Sequence, residues 1–357
     1  MTRPARVVID LAAGRANLQR VKEYAPNQKI MAIIKADAYG HGLERVAKVF
    51  DQADAFGVAC FEEALRLREA GVTKTIVLLE GFFSEQELNQ LAALNIQTVI
   101  HQLKQLEWLE QLSAAKAINA WLKIDTGMHR LGFDPEQVES VYSRLKSASG
   151  VNDHIHLMTH FASAEEPSIL QQLTLFTSTT SKLEGTHCLA NSGAIIDRPD
   201  AHGDWVRPGL MLYGISPFAD RTASELGLTP IMSLKSELIS VKHAQKGERV
   251  GYGGTWECPE DMQIGVVAMG YGDGYPRHAM SGTPMLINGN TAKLIGRPSM
   301  DMLTVDLREC PDAKIGDDVL LWGQELPVEE IARCADTIPY ELLCGMRMRA
   351  RFVEING

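Results

Sequence analysis

Short continuous apolar runs punctuate the first half of the chain, at Ile30–Ile34, Ala55–Ala59, Thr75–Leu79, Gln97–Ile100, Ala120–Ile124, His154–Met158 and Thr186–Leu189. Stretches with helical spacing separate them, among them Glu62–Ala70, Glu85–Ala93, Lys104–Ser113, Glu136–Ser147 and Ser168–Leu183. An eighth run falls near Asp204–Arg207. Uninterrupted apolar runs suit strands buried on both faces, and their alternation with helices predicts parallel βαβ units. Eight such units read as an α/β fold of the (β/α)8, TIM-barrel type. A doubly wound open sheet accounts for the same alternation.

The pattern changes near Pro230. Beyond it come alternating, β-branched runs at Met232–Val241, Gln263–Ala268, Thr291–Ile295, Met302–Val305 and Asp318–Leu321, with glycine and proline turns between them. Pro327–Ala335 is the one clearly helical stretch there. The expected organisation is a barrel over residues 1–230 and a mostly β domain over 231–357.

Composition narrows the function. The 357 residues are 45% hydrophobic and 22% charged, as in ordinary globular proteins. A net charge of −10 without a basic cluster argues against nucleic acid or an anionic membrane surface as partner. The apolar runs are too short to cross a bilayer, and no signal-peptide pattern opens the chain. The six cysteines form no C-x-x-C pair, so buried reduced thiols and a cytoplasmic setting are expected, with no metal site.

In a barrel, chemistry gathers where strands end. Lys35 follows the first run directly, where an amine is expensive unless paired or used, for example in a Schiff base. Tyr39, Gly40 and Gly42 follow, a phenol and two glycines suited to close approach by a phosphate. Lys123 lies within the fifth run, two residues from Trp121, so it faces the barrel interior and must be paired, neutralised or modified. Arg130 follows on a glycine-rich loop fit for a carboxylate or phenolate. His160 ends the sixth run. Ser192 opens a helix after the seventh, with a hydroxyl and free amides that suit phosphate. Arg207, ahead of Pro208 and Gly209, has no accepting atom, so a ring nitrogen facing it must stay unprotonated. Taken singly, each has an ordinary explanation: Lys35 reaching solvent, Arg130 in a surface salt bridge, His160 satisfied at a strand end, Ser192 a cap, Tyr252 a turn tyrosine.

Together, however, the segments form an ordered set. Ile34-Lys35-Ala-Asp-Ala-Tyr39-Gly-His-Gly42, Lys123-Ile-Asp-Thr-Gly-Met-His-Arg130, His160-Phe-Ala, Ala190-Asn-Ser192, Val206-Arg-Pro-Gly209, Val250-Gly-Tyr252-Gly, Gly270-Tyr271-Gly-Asp-Gly-Tyr275 and Gly296-Arg-Pro-Ser-Met300-Asp301 occur in that order. The set resembles the alanine racemase family of pyridoxal 5'-phosphate (PLP) enzymes, fold type III, from about residue 5 onward. The chain length and the Met128-His129-Arg130 variant lean toward its catabolic type.

The resemblance implies L- and D-alanine interconversion by two-base α-proton transfer on a PLP aldimine. Lys35 would carry the cofactor and serve the D enantiomer's proton, and Tyr252 the L enantiomer's. It further implies that Tyr39, Ser192, Gly209, Leu210 and Tyr340 hold the phosphate. Arg207 would face the ring nitrogen, with His160 supporting both. Arg130 would contact the phenolic oxygen and the substrate carboxylate. Lys123 matches a position often carbamylated. Tyr252, Tyr271, Met300 and Asp301 would enter the partner subunit's site in a head-to-tail homodimer, and Tyr271, Tyr340 and Met300 would admit a methyl side chain and exclude longer ones. His129, where some members carry glycine or asparagine, is expected to alter the surroundings of Arg130 only. A broad-specificity racemase, a PLP-dependent decarboxylase and a non-catalytic PLP-binding protein are the competing readings. Arg207 and Tyr252 oppose the decarboxylase, the region after Pro230 opposes the single-barrel binding protein, and the missing signal-peptide pattern opposes the broad-specificity enzyme.

Overall fold

In the computed structural model, which describes residues 3–163, 167–346 and 349–357, eight parallel strands close into a barrel in chain order. They are Lys29–Ile33, Ala55–Val58, Thr75–Leu78, Gln97–Ile100, Ala120–Lys123, His156–Met158, Thr186–Cys188 and Trp205–Val206. The eighth pairs back onto the first through Lys29↔Trp205 and Ile30↔Val206, which rules out the open sheet. Ala55–Val58 and Ala120–Lys123 are buried at every position, because helices cover the face opposite the interior. Trp121 stacks on His156 with ring centroids 3.9 Å apart and meets Trp205 edge-on at 5.5 Å, filling the N-terminal end of the barrel. The opposite end is left for side chains that follow the strands.

The second region is an eight-stranded sheet in the order Met262–Val267, Leu303–Asp306, Asn290–Leu294, Pro284–Ile287, Asp318–Trp322, Met232–Ala244, Arg6–Asp10 and Arg351–Ile355. Met232, Leu234, Ser236 and Leu238 alternate inward, as period-2 patterning requires. One strand of this sheet comes from the start of the chain. Arg6–Asp10 does not join the barrel: it pairs antiparallel with Met232–Lys235 and parallel with Arg351–Ile355. Val7 and Ile9 are fully buried there, and both edges of the strand are satisfied by chain more than two hundred residues away. Asp10 then caps the helix Leu11–Tyr24 by accepting from the Ala12 and Ala13 N–H groups. A second helix, Pro339–Cys344, joins Val328–Cys334 in this region, so the expectation of a single helix there was too few.

All six cysteines are free. Cys188, Cys258 and Cys310 are buried as expected, but Cys60 and Cys334 are half-buried and Cys344 is exposed. Among the described residues, no helix is long and apolar enough to cross a membrane.

Candidate active site

The first barrel strand ends at Ile33, and half-buried Lys35 opens an unusual turn. Ala36, Asp37, Ala38 and Tyr39 have φ of 54°, 51°, 55° and 51°, four consecutive left-handed residues without a glycine among them. Left-handed geometry costs an L-residue roughly 1–2 kcal/mol, so such a run persists only where its surroundings over-determine it, which is typical of functional sites. Polar contacts supply that constraint. Asp37 Oδ1 accepts from the Leu43 N–H at 3.1 Å and from Arg66 at 2.9 Å, while the Asp37 N–H donates to Glu63 Oε1 at 3.1 Å. Gly40, at φ 76°, lies so close to the helix Pro339–Cys344 that a Cβ there would sit 2.1 Å from the Leu343 carbonyl oxygen. The sequence Lys-Ala-Asp-Ala-Tyr carries no local sign of this turn; the flanking glycines are its only hint.

At the far end of the turn, Tyr39 is buried between Tyr213 (centroids 4.6 Å apart) and Tyr340 (5.5 Å). Burial raises the Tyr39 phenol well above its ordinary range, and pushes that of Tyr340 up to about 12, so both stay protonated and able to donate. A Cβ on Gly209 would meet the Tyr39 hydroxyl at 2.8 Å, so the backbone there approaches the phenol as only glycine allows. Ser192 Oγ accepts from the Gly209 N–H at 3.0 Å and the Met211 N–H at 3.4 Å, which frees the hydroxyl proton for another acceptor. The N-cap of the helix Ser192–Asp197 is Asn191, whose side chain accepts from the Ala194 N–H; Ser192 is the first helical residue, and the amides it meets come from the Gly209–Met211 turn. The Leu210 N–H has no hydrogen-bond partner among the described residues.

Cations dominate the barrel mouth. Arg207 is buried, its Nη1 donating to the Cys188 carbonyl at 2.7 Å and its Nη2 to the Thr159 and Leu189 carbonyls at 2.6 and 3.0 Å. Its Nη2 also lies 3.4 Å from His160 Nδ1, which must then be an acceptor, leaving the proton on Nε2. Burial and, next, Arg207, Lys123, Arg130 and Lys35 push the His160 imidazole down to about 2. Lys123, 8% exposed, falls to about 8 through burial, Arg207, Arg130 and Lys35, with Asp125 the one opposing influence. These charges reach one another from the ends of three strands, and His160 joins them from a fourth. Arg130 itself is exposed, on a loop shaped by Asp125, whose Oδ1 accepts from the Gly127 and His129 N–H groups at 2.9 and 3.0 Å. His129 has φ 52°, a left-handed position that explains why glycine or asparagine also suits it.

The C-terminal candidates are placed differently. Tyr252, Met300 and Tyr271 are 70%, 52% and 36% exposed, and no described contact joins them to Lys35. Asp301 is ion-paired with Arg349, which also binds the fully buried Asp273 carboxylate at 2.8 Å. Asp273 accepts from Arg3 as well, and its hydrogen bond to the Gly270 N–H fixes the loop bearing Tyr271. Sequence reasoning passed over Asp273, Tyr213 and Glu63, which carry no chemistry themselves but hold the residues that do.

A closed parallel barrel with a cationic mouth and an attached β domain is an arrangement suited to anionic ligands. A family model of the alanine racemase N-terminal domain matches residues 9–217, and one of the C-terminal domain matches 231–354. The chain is 51% identical to an alanine racemase of Vibrio parahaemolyticus over 348 residues, covering 97% of both chains. It is 48% identical to the biosynthetic alanine racemase of Escherichia coli over 356 residues, 99% of each. The solved biosynthetic alanine racemase of Pseudomonas aeruginosa superposes with a TM-score of 0.95 at 44% identity, over 99% of this chain and 100% of that one. The chain belongs to the alanine racemase family.

The neutral histidines make stability pH-dependent. Burial, foremost, holds His41, His156 and His160 at about 4, about 4 and about 2, against an ordinary 6.5. Below about pH 6.5 the unfolded chain therefore binds protons that the folded chain refuses, and stability falls as the pH falls, by on the order of 1 kcal/mol per unit for each group. Urea-unfolding midpoints are expected to drop steadily from about pH 6.5 toward 4; midpoints unchanged across that window would contradict these assignments.

Proposed function

We propose that this protein racemises alanine with PLP, Lys35 serving one face of the substrate and Tyr252 of the partner subunit the other. The observation that carries this reading is the cationic barrel mouth, where Lys35, Lys123, Arg130 and Arg207 all act on His160. The residues fit the cofactor. Tyr39, the free Ser192 proton and the Leu210 N–H present donors beside a glycine that leaves room for a phosphate, with Tyr340 packed on Tyr39. When bound, PLP supplies the electron-withdrawing system that loosens the substrate's α-proton.

The chain does the rest. Arg130 would donate to the substrate carboxylate and to the cofactor's phenolic oxygen. Lys35 Nζ exchanges the proton of the D enantiomer, and the Tyr252 hydroxyl that of the L enantiomer. Two groups on opposite faces remove and return a proton without either having to move. Tyr271 and Met300 wall the pocket against long side chains, and Asp301, held by Arg349, lines the entrance. This assigns residues 231–357, together with the Arg6–Asp10 strand, to a domain that completes a second subunit's site. Chiral analysis of alanine after incubation tests the reading: L-alanine alone must become a mixture.

Arg207 donates on every side and accepts nothing, so facing the cofactor's ring nitrogen it would hold that nitrogen unprotonated and restrain electron withdrawal. Arg207→Glu should therefore produce a new long-wavelength absorbance on adding alanine, together with measurable transamination. An unchanged spectrum would remove Arg207 from this role.

Lys123 is a buried amine pushed toward neutrality among three cations, which favours its reaction with carbon dioxide. The resulting carbamate would place an anion beside Arg130 and Arg207. Intact-mass analysis in bicarbonate buffer at mildly alkaline pH should show one added carbon dioxide, absent from Lys123→Ala; no mass difference would refute it.

The similar proteins of Escherichia coli and Pseudomonas aeruginosa are biosynthetic alanine racemases. We accordingly assign D-alanine supply for peptidoglycan, in preference to catabolism. Six free, unpaired cysteines suit a reducing cytoplasm.

A further inference from the structure

The left-handed turn between Lys35 and Tyr39 is held from beneath by a histidine. His41 is fully buried, and its Nδ1 lies 3.0 Å from the Ala38 carbonyl oxygen and 2.9 Å from that of Tyr39. Both acceptors belong to the turn. Carbonyls only accept, so Nδ1 carries the proton and is shared between them. Burial keeps the ring neutral, and its other nitrogen, Nε2, is buried without any partner. A residue that merely filled this space would do better as an apolar ring, which leaves no nitrogen unsatisfied. What histidine adds is a single N–H that ties two strained peptides together.

The ring also packs on Tyr213, centroids 4.7 Å apart. Tyr213 in turn touches the Tyr39 ring, and its hydroxyl donates to the Ile33 carbonyl at 2.9 Å. His41 and Tyr213 therefore grip the segment at both ends, at the last strand residue before Lys35 and at Tyr39.

We propose that His41 is a positioning residue for the racemase reaction: its Nδ1–H fixes the left-handed turn and so sets the Lys35 amine for proton transfer. The inference rests on the PLP-racemase reading above. Three holoenzyme variants separate a hydrogen-bond role from packing. His41→Asn keeps a donor nitrogen the same number of bonds from Cα as Nδ1. His41→Gln moves it one bond further out. His41→Phe keeps the ring and loses the donor.

For the Phe and Gln variants, kcat per bound PLP should fall about tenfold or more with KM for alanine within about twofold, since a displaced reacting group costs rate and not binding. The α-deuterium isotope effect should rise for D-alanine, whose proton Lys35 handles, and not for L-alanine. The circular dichroism of the lysine-bound cofactor should weaken, and PLP should exchange faster into apo-protein. The Asn variant should recover most of each readout. Equal losses in the Asn and Phe variants, or lowered thermal stability with unchanged kcat, isotope effects and cofactor dichroism, would overturn the proposal. A wild-type protein lacking the lysine-bound PLP band would overturn the functional reading and this inference with it. A normal wild-type band with unmoved variants would overturn the inference alone.

Discussion

Lys35→Ala is expected to lose both racemisation and retained cofactor. The amine would carry the cofactor and also serve one face of the substrate, so two losses fall on one atom. General acid–base catalysis alone contributes about a hundredfold to ten-thousandfold, and the missing covalent bond adds to that. Dialysed wild-type protein should keep the absorbance of lysine-bound PLP, while the variant should show only free aldehyde or none. The phosphate-side donors at Tyr39, Ser192 and Leu210 remain, so weak PLP binding at high concentration is compatible with the account. Undiminished racemisation by the variant is not.

Tyr252→Phe removes a hydroxyl and little else. In the isolated chain this ring is 70% exposed, as are much of Met300 and of Ile338, at 52% and 58%. Exposed aromatic and apolar side chains of this kind are common at protein–protein interfaces. Racemisation by Tyr252→Phe should fall by at least about a hundredfold, while α-proton exchange on D-alanine at the Lys35 face continues. Placement in trans has its own signature. Neither variant alone is active, but a mixed dimer of Lys35→Ala and Tyr252→Phe chains contains one intact site. Random reassociation makes half the dimers mixed, so about a quarter of wild-type activity should return. No recovery, under conditions where wild-type subunits demonstrably exchange, would place Tyr252 in its own chain's site.

The barrel was legible because parallel strands buried on both faces are written as continuous apolar runs, and the structure places the strand ends within two residues of the ends of those runs. Arg6–Asp10 was not, although Val7 and Ile9 alternate correctly, because its neighbours at Met232–Lys235 and Arg351–Ile355 leave no mark in the local sequence. The cationic mouth could be foreseen residue by residue, each at the end of a strand or just after one. Its conformation could not. Ala36 and Ala38 are strong helix formers, and nothing in their identity says that the turn winds left-handed. That geometry is imposed by Glu63, Arg66, His41 and Leu343, all outside the five residues it shapes. The exposed C-terminal candidates were legible as motifs alone, since no contact among the described residues of the chain joins them to the barrel mouth.

The central claim is two-face proton exchange, and an NMR time course of the purified protein with L-alanine in heavy water tests it most directly when paired with chiral analysis of the product. The account predicts loss of the α-proton signal accompanied by D-alanine carrying deuterium at Cα. Loss of the signal with L-alanine retained would contradict it, because exchange would then be confined to one face and Tyr252 would have no proton to move.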